Sequence, residues 1–134
     1  MENSISLPNE FMIIHFFQAK DFFQIMFNGQ NYKIIGKDDV ENFVGLSPDK
    51  QVFLLNTSDK SIIYISQNIE AFLMEIEIYH QYSKISFPNN PTEEELKERE
   101  KHFRELLMQI DGNAFHDENT YWSYIAEEMG YGII

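Results

Sequence analysis

Residues 51–79 read Gln51-Val-Phe-Leu-Leu55, Asn56-Thr-Ser-Asp-Lys60-Ser, Ile62-Ile-Tyr-Ile65, Ser66-Gln-Asn68 and Ile69-Glu-Ala-Phe-Leu-Met-Glu-Ile-Glu-Ile-Tyr79. Two apolar runs separated by the polar turn Asn56–Lys60 predict a β-hairpin. Directly after it the period changes. Ile69, Phe72, Leu73, Ile76 and Tyr79 follow the i, i+3, i+4, i+7 spacing of an amphipathic helix, and Ser66 is placed to cap it. A strand that runs straight into a helix, with strands before it and helices after it, predicts an α+β fold with an antiparallel-rich sheet.

Towards the N-terminus the strand pattern continues. Phe22-Phe-Gln-Ile-Met-Phe27 and Tyr32-Lys-Ile-Ile35 flank Asn28-Gly29, a strong hairpin signal. Gly36-Lys-Asp-Asp39 closes that unit, and a less regular stretch from Val40 to Leu46 ends in the turn Ser47-Pro-Asp-Lys50. Phe11–Phe17 is apolar throughout, and its pattern fits a strand and a short buried helix equally. Towards the C-terminus the first helix should end before Ser86-Phe-Pro-Asn-Asn-Pro91, because proline cannot continue it. The segment Ser83–Asn90 is the one candidate for mobility.

Thr92-Glu-Glu-Glu95 is a capping box with three acids at the positive end of the helix dipole. The helix it opens should run to Ile110, bury Leu96, Phe103, Leu106, Leu107 and Ile110, and stop at Asp111-Gly-Asn113. A last helix opens near Asn119-Thr120, buries Trp122, Ile125, Ala126 and Met129, and meets Gly130 as its stop. The expectation is one domain over residues 1–134, with a sheet of about five strands backed by three helices.

Composition bounds the function. The chain has 134 residues, 43% of them hydrophobic, with twelve Phe and seven Tyr, enough for an aromatic-rich core. No apolar run reaches the roughly 18 residues of a membrane span, and no basic-then-apolar leader opens the sequence, so no signal peptide is expected. Zero Cys excludes disulfides and thiolate chemistry and fits a cytoplasmic protein. Ten basic residues against 22 acids give a net charge of −12. That field opposes binding to nucleic acid and to anionic membranes, and favours a basic partner. The first 66 residues carry five lysines against eight acids, so most of the excess lies in the helical half.

No chemistry-bearing constellation is visible. His15, His80, His102 and His116 make no i+3, i+4 or i+5 pair, so no metal site and no metal cofactor is expected. The acids from Glu93 to Glu105 alternate with Lys97, Arg99, Lys101 and Arg104, and Glu93–Lys97, Glu95–Arg99 and Glu100–Arg104 are i,i+4 pairs of a solvated helix face. Glycine-rich phosphate loops and the GxSxG elbow are missing. No catalytic residue is therefore assigned, and the chain is read as a binding protein and not an enzyme.

That leaves the surface. Glu70, Glu75 and Glu77 on the first helix, with Asp111, Asp117 and Glu118 around the last loop, suggest an electronegative rim. Ordinary helix and loop solvation accounts for the same acids. Tyr121 and Tyr124 flank Trp122 off the centre of its stripe, either as exposed interface anchors or as rings on the edge of the core. The contact residues expected for a partner are Glu70, Glu75, Glu77, Asp117, Glu118 and Tyr121.

The order of motifs resembles the SUKH superfamily of bacterial immunity proteins, and most closely its fourth subfamily. The matching features are Tyr32-Lys-Ile-Ile-Gly36, Val44-Gly-Leu-Ser-Pro-Asp-Lys-Gln-Val-Phe53, Ile63-Tyr-Ile-Ser-Gln-Asn-Ile-Glu-Ala-Phe-Leu73, Ile110-Asp-Gly-Asn-Ala-Phe115, Tyr121-Trp122 and Gly132. Gly112 stands where a Pro is usual after the Ile-Asp pair, and Ser66-Gln-Asn68 where Asn-Ser is usual before the helix. The resemblance implies a cytoplasmic immunity protein that binds and neutralises a cognate toxin domain, often a nuclease. Such a toxin would present a basic cleft that a −12 chain complements. The competing expectation is an intracellular scaffold or regulatory domain of the same fold, with several weaker, salt-insensitive partners. Neither expectation fixes an oligomeric state.

Overall fold

The computed structural model describes residues 7–8, 10–40, 42–83 and 91–132. Its elements follow the α+β expectation: β1 (Glu10–Phe11), β2 (Ile14–Phe16), β3 (Phe23–Phe27), β4 (Gln30–Lys37), β5 (Asn42–Leu46), β6 (Val52–Asn56), β7 (Ile62–Ser66), α1 (Ile69–Ser83), α2 (Glu93–Ile110) and α3 (Tyr121–Gly130). The strands form one antiparallel, curled sheet in the order β1-β2-β4-β5-β6-β7, with β3 beside β2 on the same edge of β4. The sheet has seven strands where about five were expected. The segment expected to be mobile, apart from Ser83, lies outside the described residues.

Two strands come from the ambiguous run at Phe11–Phe17, which is a hairpin and not a helix. Met12 takes a left-handed φ of 56°, so the chain reverses in two residues and Phe11 faces Ile14. The irregular stretch at Val40–Leu46 is strand β5. A carboxylate makes its entry: Asp38 Oδ1 accepts from the backbone N–H of Val40 and of Asn42, each at 2.9 Å, and Oδ2 accepts from Asn42 Nδ2 at 2.7 Å. Gly45 lies within β5 because a Cβ there would stand 3.1–3.3 Å from Leu55, Tyr32 and Ile34. The hairpin at Asn28-Gly29 forms as expected, with φ of 51° and 82° at its two turn residues.

Strand alternation divides the side chains between two cores. Ile35, Val44, Val52, Leu54 and Ile65 face the helices, where they meet Phe72, Ile76, Phe103, Leu107, Trp122 and Met129. On the opposite face Phe27, Tyr32, Ile34 and Leu55 bury one another inside the curl, flanked by Phe17, Ile25, Phe43 and Phe53. The helix-side core is built on rings: Phe11 lies edge-on to Tyr79 at 5.3 Å and to Phe72 at 6.2 Å, and Phe103 to Trp122 at 6.1 Å. Each such pair adds about 1 kcal/mol beyond its buried area.

The helix ends are set locally. Thr92 and Glu95 form the full capping box, with bonds of 3.0 Å and 2.8 Å. Glu95 Oε1 thus serves the cap, and Glu100–Arg104 forms an ion pair at 2.7 Å. Ser66 does not cap α1. It ends β7, and Asn68 Oδ1 accepts from the Ala71 N–H at 2.8 Å instead. Thr120 caps α3, and the left-handed residue that ends the helix is Gly132 and not Gly130, which is the last helical residue.

Candidate functional site

The strongest departure from the expected rim is Glu75. It has no exposed surface and is among the largest fully buried side chains. Its Oε1 accepts from the Trp122 indole N–H at 3.0 Å, joining α1 to α3. Its Oε2 and the neighbouring Ser66 Oγ are buried without a partner of hydrogen-bonding geometry. Burial pushes the Glu75 carboxyl up to about 8, and the nearby Asp111 charge adds to the rise against the opposing pull of Ser66 and Trp122. Burial therefore favours the neutral carboxylic acid over the carboxylate at this position. Glu75 is thus a core residue and not a contact for a partner.

Asp111 also leaves the rim. It is buried, and Oδ2 accepts from Tyr64 Oη at 2.6 Å and from the Gln67 N–H at 3.1 Å, while Oδ1 accepts from the Asn113 N–H at 2.9 Å. One carboxylate therefore latches the end of α2 to β7 and to the approach to α1. Burial, and then the hydrogen bond to Asp111, drive the Tyr64 hydroxyl above its ordinary pKa. Both Asp111 oxygens are thus engaged with the chain itself.

The remaining expected contacts fall in two places. Glu70 and Glu77 are exposed on α1, and their spacing puts them on one face with Met74 between them, 56% exposed. Asp117 and Glu118 are exposed in the loop between α2 and α3, where Asp117 Oδ2 pairs with His116 Nδ1 at 3.0 Å and the His116 ring lies against Tyr64 at 5.5 Å. No described contact ties this loop pair to the α1 pair. Tyr121 is half-buried, packed edge-on against Trp122 at 5.5 Å with its hydroxyl towards Met12, and burial raises its pKa. It belongs to the edge of the core, whereas Tyr124 is exposed.

Beside the start of α1 lies a groove of about 850 Å³, lined by Phe22, Lys33, Leu46, Lys50, Ile69 and Glu70 among others. Glu70 stands at its lip, so the acidic face of α1 runs up to an amphipathic depression. The Lys33 ammonium sits 5.5 Å from the Phe22 ring centroid. The groove was invisible in the sequence because its lining comes from five separated segments.

Among the described residues no group of three or more His, Asp or Glu side chains is placed to hold a metal ion. None of their helices is long and apolar enough to cross a membrane. No known protein family, no curated protein and no solved structure matches the chain. What the fold and the composition define is an acidic α+β protein.

Proposed function

We propose that this protein is a SUKH-type immunity protein, which binds a basic toxin domain and neutralises it without turnover. The observation that carries this reading is the exposed face of α1, where Glu70 and Glu77 bracket Met74 and Glu70 also lines the groove. Acids of this kind steer a cationic partner and set its association rate, while an exposed methionine adapts to the partner's apolar surface. The net charge of −12 supplies the longer-range field. A nuclease domain, whose cleft must be cationic to hold phosphate, fits this chemistry.

The test is capture from the native cells with tagged protein over a salt series, followed by kinetics with the captured partner. The expected result is one basic protein, lost as salt rises, whose association slows about tenfold when Glu70→Lys and Glu77→Lys are combined. Several neutral partners held independently of salt would favour the scaffold reading. Kinetics unchanged by reversing Glu70, Glu77, Asp117 and Glu118 together would remove the acidic surface from the mechanism.

A further inference from the structure

Strand β3 lies at an edge of the sheet and leaves an apolar surface open. Among the described residues it pairs with β4 alone, in the register Phe23↔Ile34 through Phe27↔Gln30. In a hairpin with a two-residue turn, Phe27, Ile25 and Phe23 direct their backbone groups to β4, so those of Gln24 and Met26 point outward. Side chains there are open too: Met26 is 67% exposed and Phe23 41%. Edge strands in monomeric proteins usually carry a charge, a proline or a bulge that blocks further pairing. The segment Phe22-Phe-Gln-Ile-Met-Phe27 carries none of these, although the chain as a whole is strongly charged.

We propose that β3 pairs antiparallel with β3 of a second copy of this chain, extending the sheet across a two-fold axis. Two features single out a second copy as the occupant. The strand is self-complementary: centred on Ile25, pairing sets Phe23 opposite the second copy's Phe27 and Gln24 opposite its Met26. The outward groups of Gln24 and Met26 then make about four backbone hydrogen bonds. Phe23, Ile25 and Phe27 all lie on the face away from the helices, where Phe23 already packs on Phe17 and Phe43 at 6.1 Å and 5.9 Å, so the two aromatic faces join.

Charge gives the second reason. Two chains of −12 repel each other over most approaches, and repulsion is least along an uncharged strand. The nearest charges are complementary under the same two-fold. Asp21 precedes the strand, and Lys60 stands at its far end, with its ammonium 5.6 Å from the Phe27 ring centroid and its carbonyl accepting from Asn28 Nδ2 at 2.8 Å. Antiparallel pairing brings Asp21 of each copy towards the turn that holds Lys60 of the other.

The experiment is light scattering on size-exclusion fractions over a concentration series that reaches the millimolar range. The expected result is a mass twice 15.9 kDa that falls to 15.9 kDa on dilution. Met26→Lys replaces an exposed side chain with a charge, and Gln24→Pro removes one outward N–H; each should return the monomer at concentrations where the parent is dimeric. Unchanged circular dichroism spectra and unfolding midpoints show that both variants fold. A mass of 15.9 kDa at every concentration, a larger polydisperse assembly, or a dimer that survives both substitutions would overturn the pairing.

Discussion

Raising the pH should destabilise this protein through one side chain. The Glu75 carboxyl ionises near 4.5 in the unfolded chain but at about 8 in the folded one, where it is buried. Between those limits the folded state holds the extra proton, so unfolding releases it and stability falls as pH rises. The contribution is fully present below pH 4.5, declines on the way up and is gone above pH 8. At about 1.4 kcal/mol per pH unit the whole interval is about 5 kcal/mol, an upper bound because water entering around the charged form relaxes part of it. That is as large as the entire stability of many small proteins. The assay is equilibrium urea unfolding of the parent and of Glu75→Gln, from about pH 5 to about pH 9.5. The amide keeps an acceptor for the Trp122 indole and offers an N–H to Ser66, with no charge to bury. Subtracting the two profiles cancels the titration of surface acids and histidines. The difference should move in favour of the variant by several kcal/mol across the range. A difference that stays constant with pH would refute the reasoning, because the folded carboxyl would then ionise no differently from the unfolded one.

Two further predictions concern close contacts and caps. A Cβ at Gly36 would lie 2.8 Å from the His15 carbonyl oxygen, where β2 crosses against β4, and backbone cannot step aside; Gly36→Ala should cost about 1–3 kcal/mol in urea unfolding. At Gly130 the nearest atom, 1.9 Å away, is the end of the Glu100 side chain, which can rotate, so Gly130→Ala should be far milder, and equal effects at the two sites would contradict this. The two threonine caps should likewise differ. Thr92 is exposed and its loss should cost about 1 kcal/mol, whereas Thr120 is buried and also donates to the Ala114 carbonyl at 2.6 Å, so Thr120→Ala should lower the unfolding midpoint distinctly more.

What could be read from residue patterns was whatever local physics decides. Asn28-Gly29 dictates its turn by backbone sterics, and Thr92 with Glu95 satisfies the first amides of α2 wherever that helix packs. Strand β5 was obscured because Gly45 breaks the apolar alternation, and the reason for the glycine is contact with Tyr32 and Leu55 from the neighbouring strands. The groove beside Glu70 escapes for a similar reason, since it exists only once the start of α1 is set against the sheet.

Glu75 is a different case, because its signal was present. The spacing Ile69, Phe72, Leu73, Ile76, Tyr79 predicts a buried arc centred near Ile76, with Ile69 and Leu73 inside it. The arc that is buried is turned away from those two, taking in Ala71, Phe72, Glu75, Ile76, Tyr79 and Tyr82 and leaving Ile69 and Leu73 half-covered at its edge. A glutamate three residues after Phe72 and four before Tyr79 lies inside that arc, so its charge is a poor guide to its position. An acid in such a place needs a donor from another element, and the chain's single tryptophan, whose N–H can only donate, stands on the apolar face of the last helix. The partnership of Glu75 with Trp122 therefore follows from two facts taken together, the helical phase of one residue and the hydrogen-bonding capacity of the other. Counting acids as surface by default separates those facts, and it assigns to an exposed rim a residue that holds the core together.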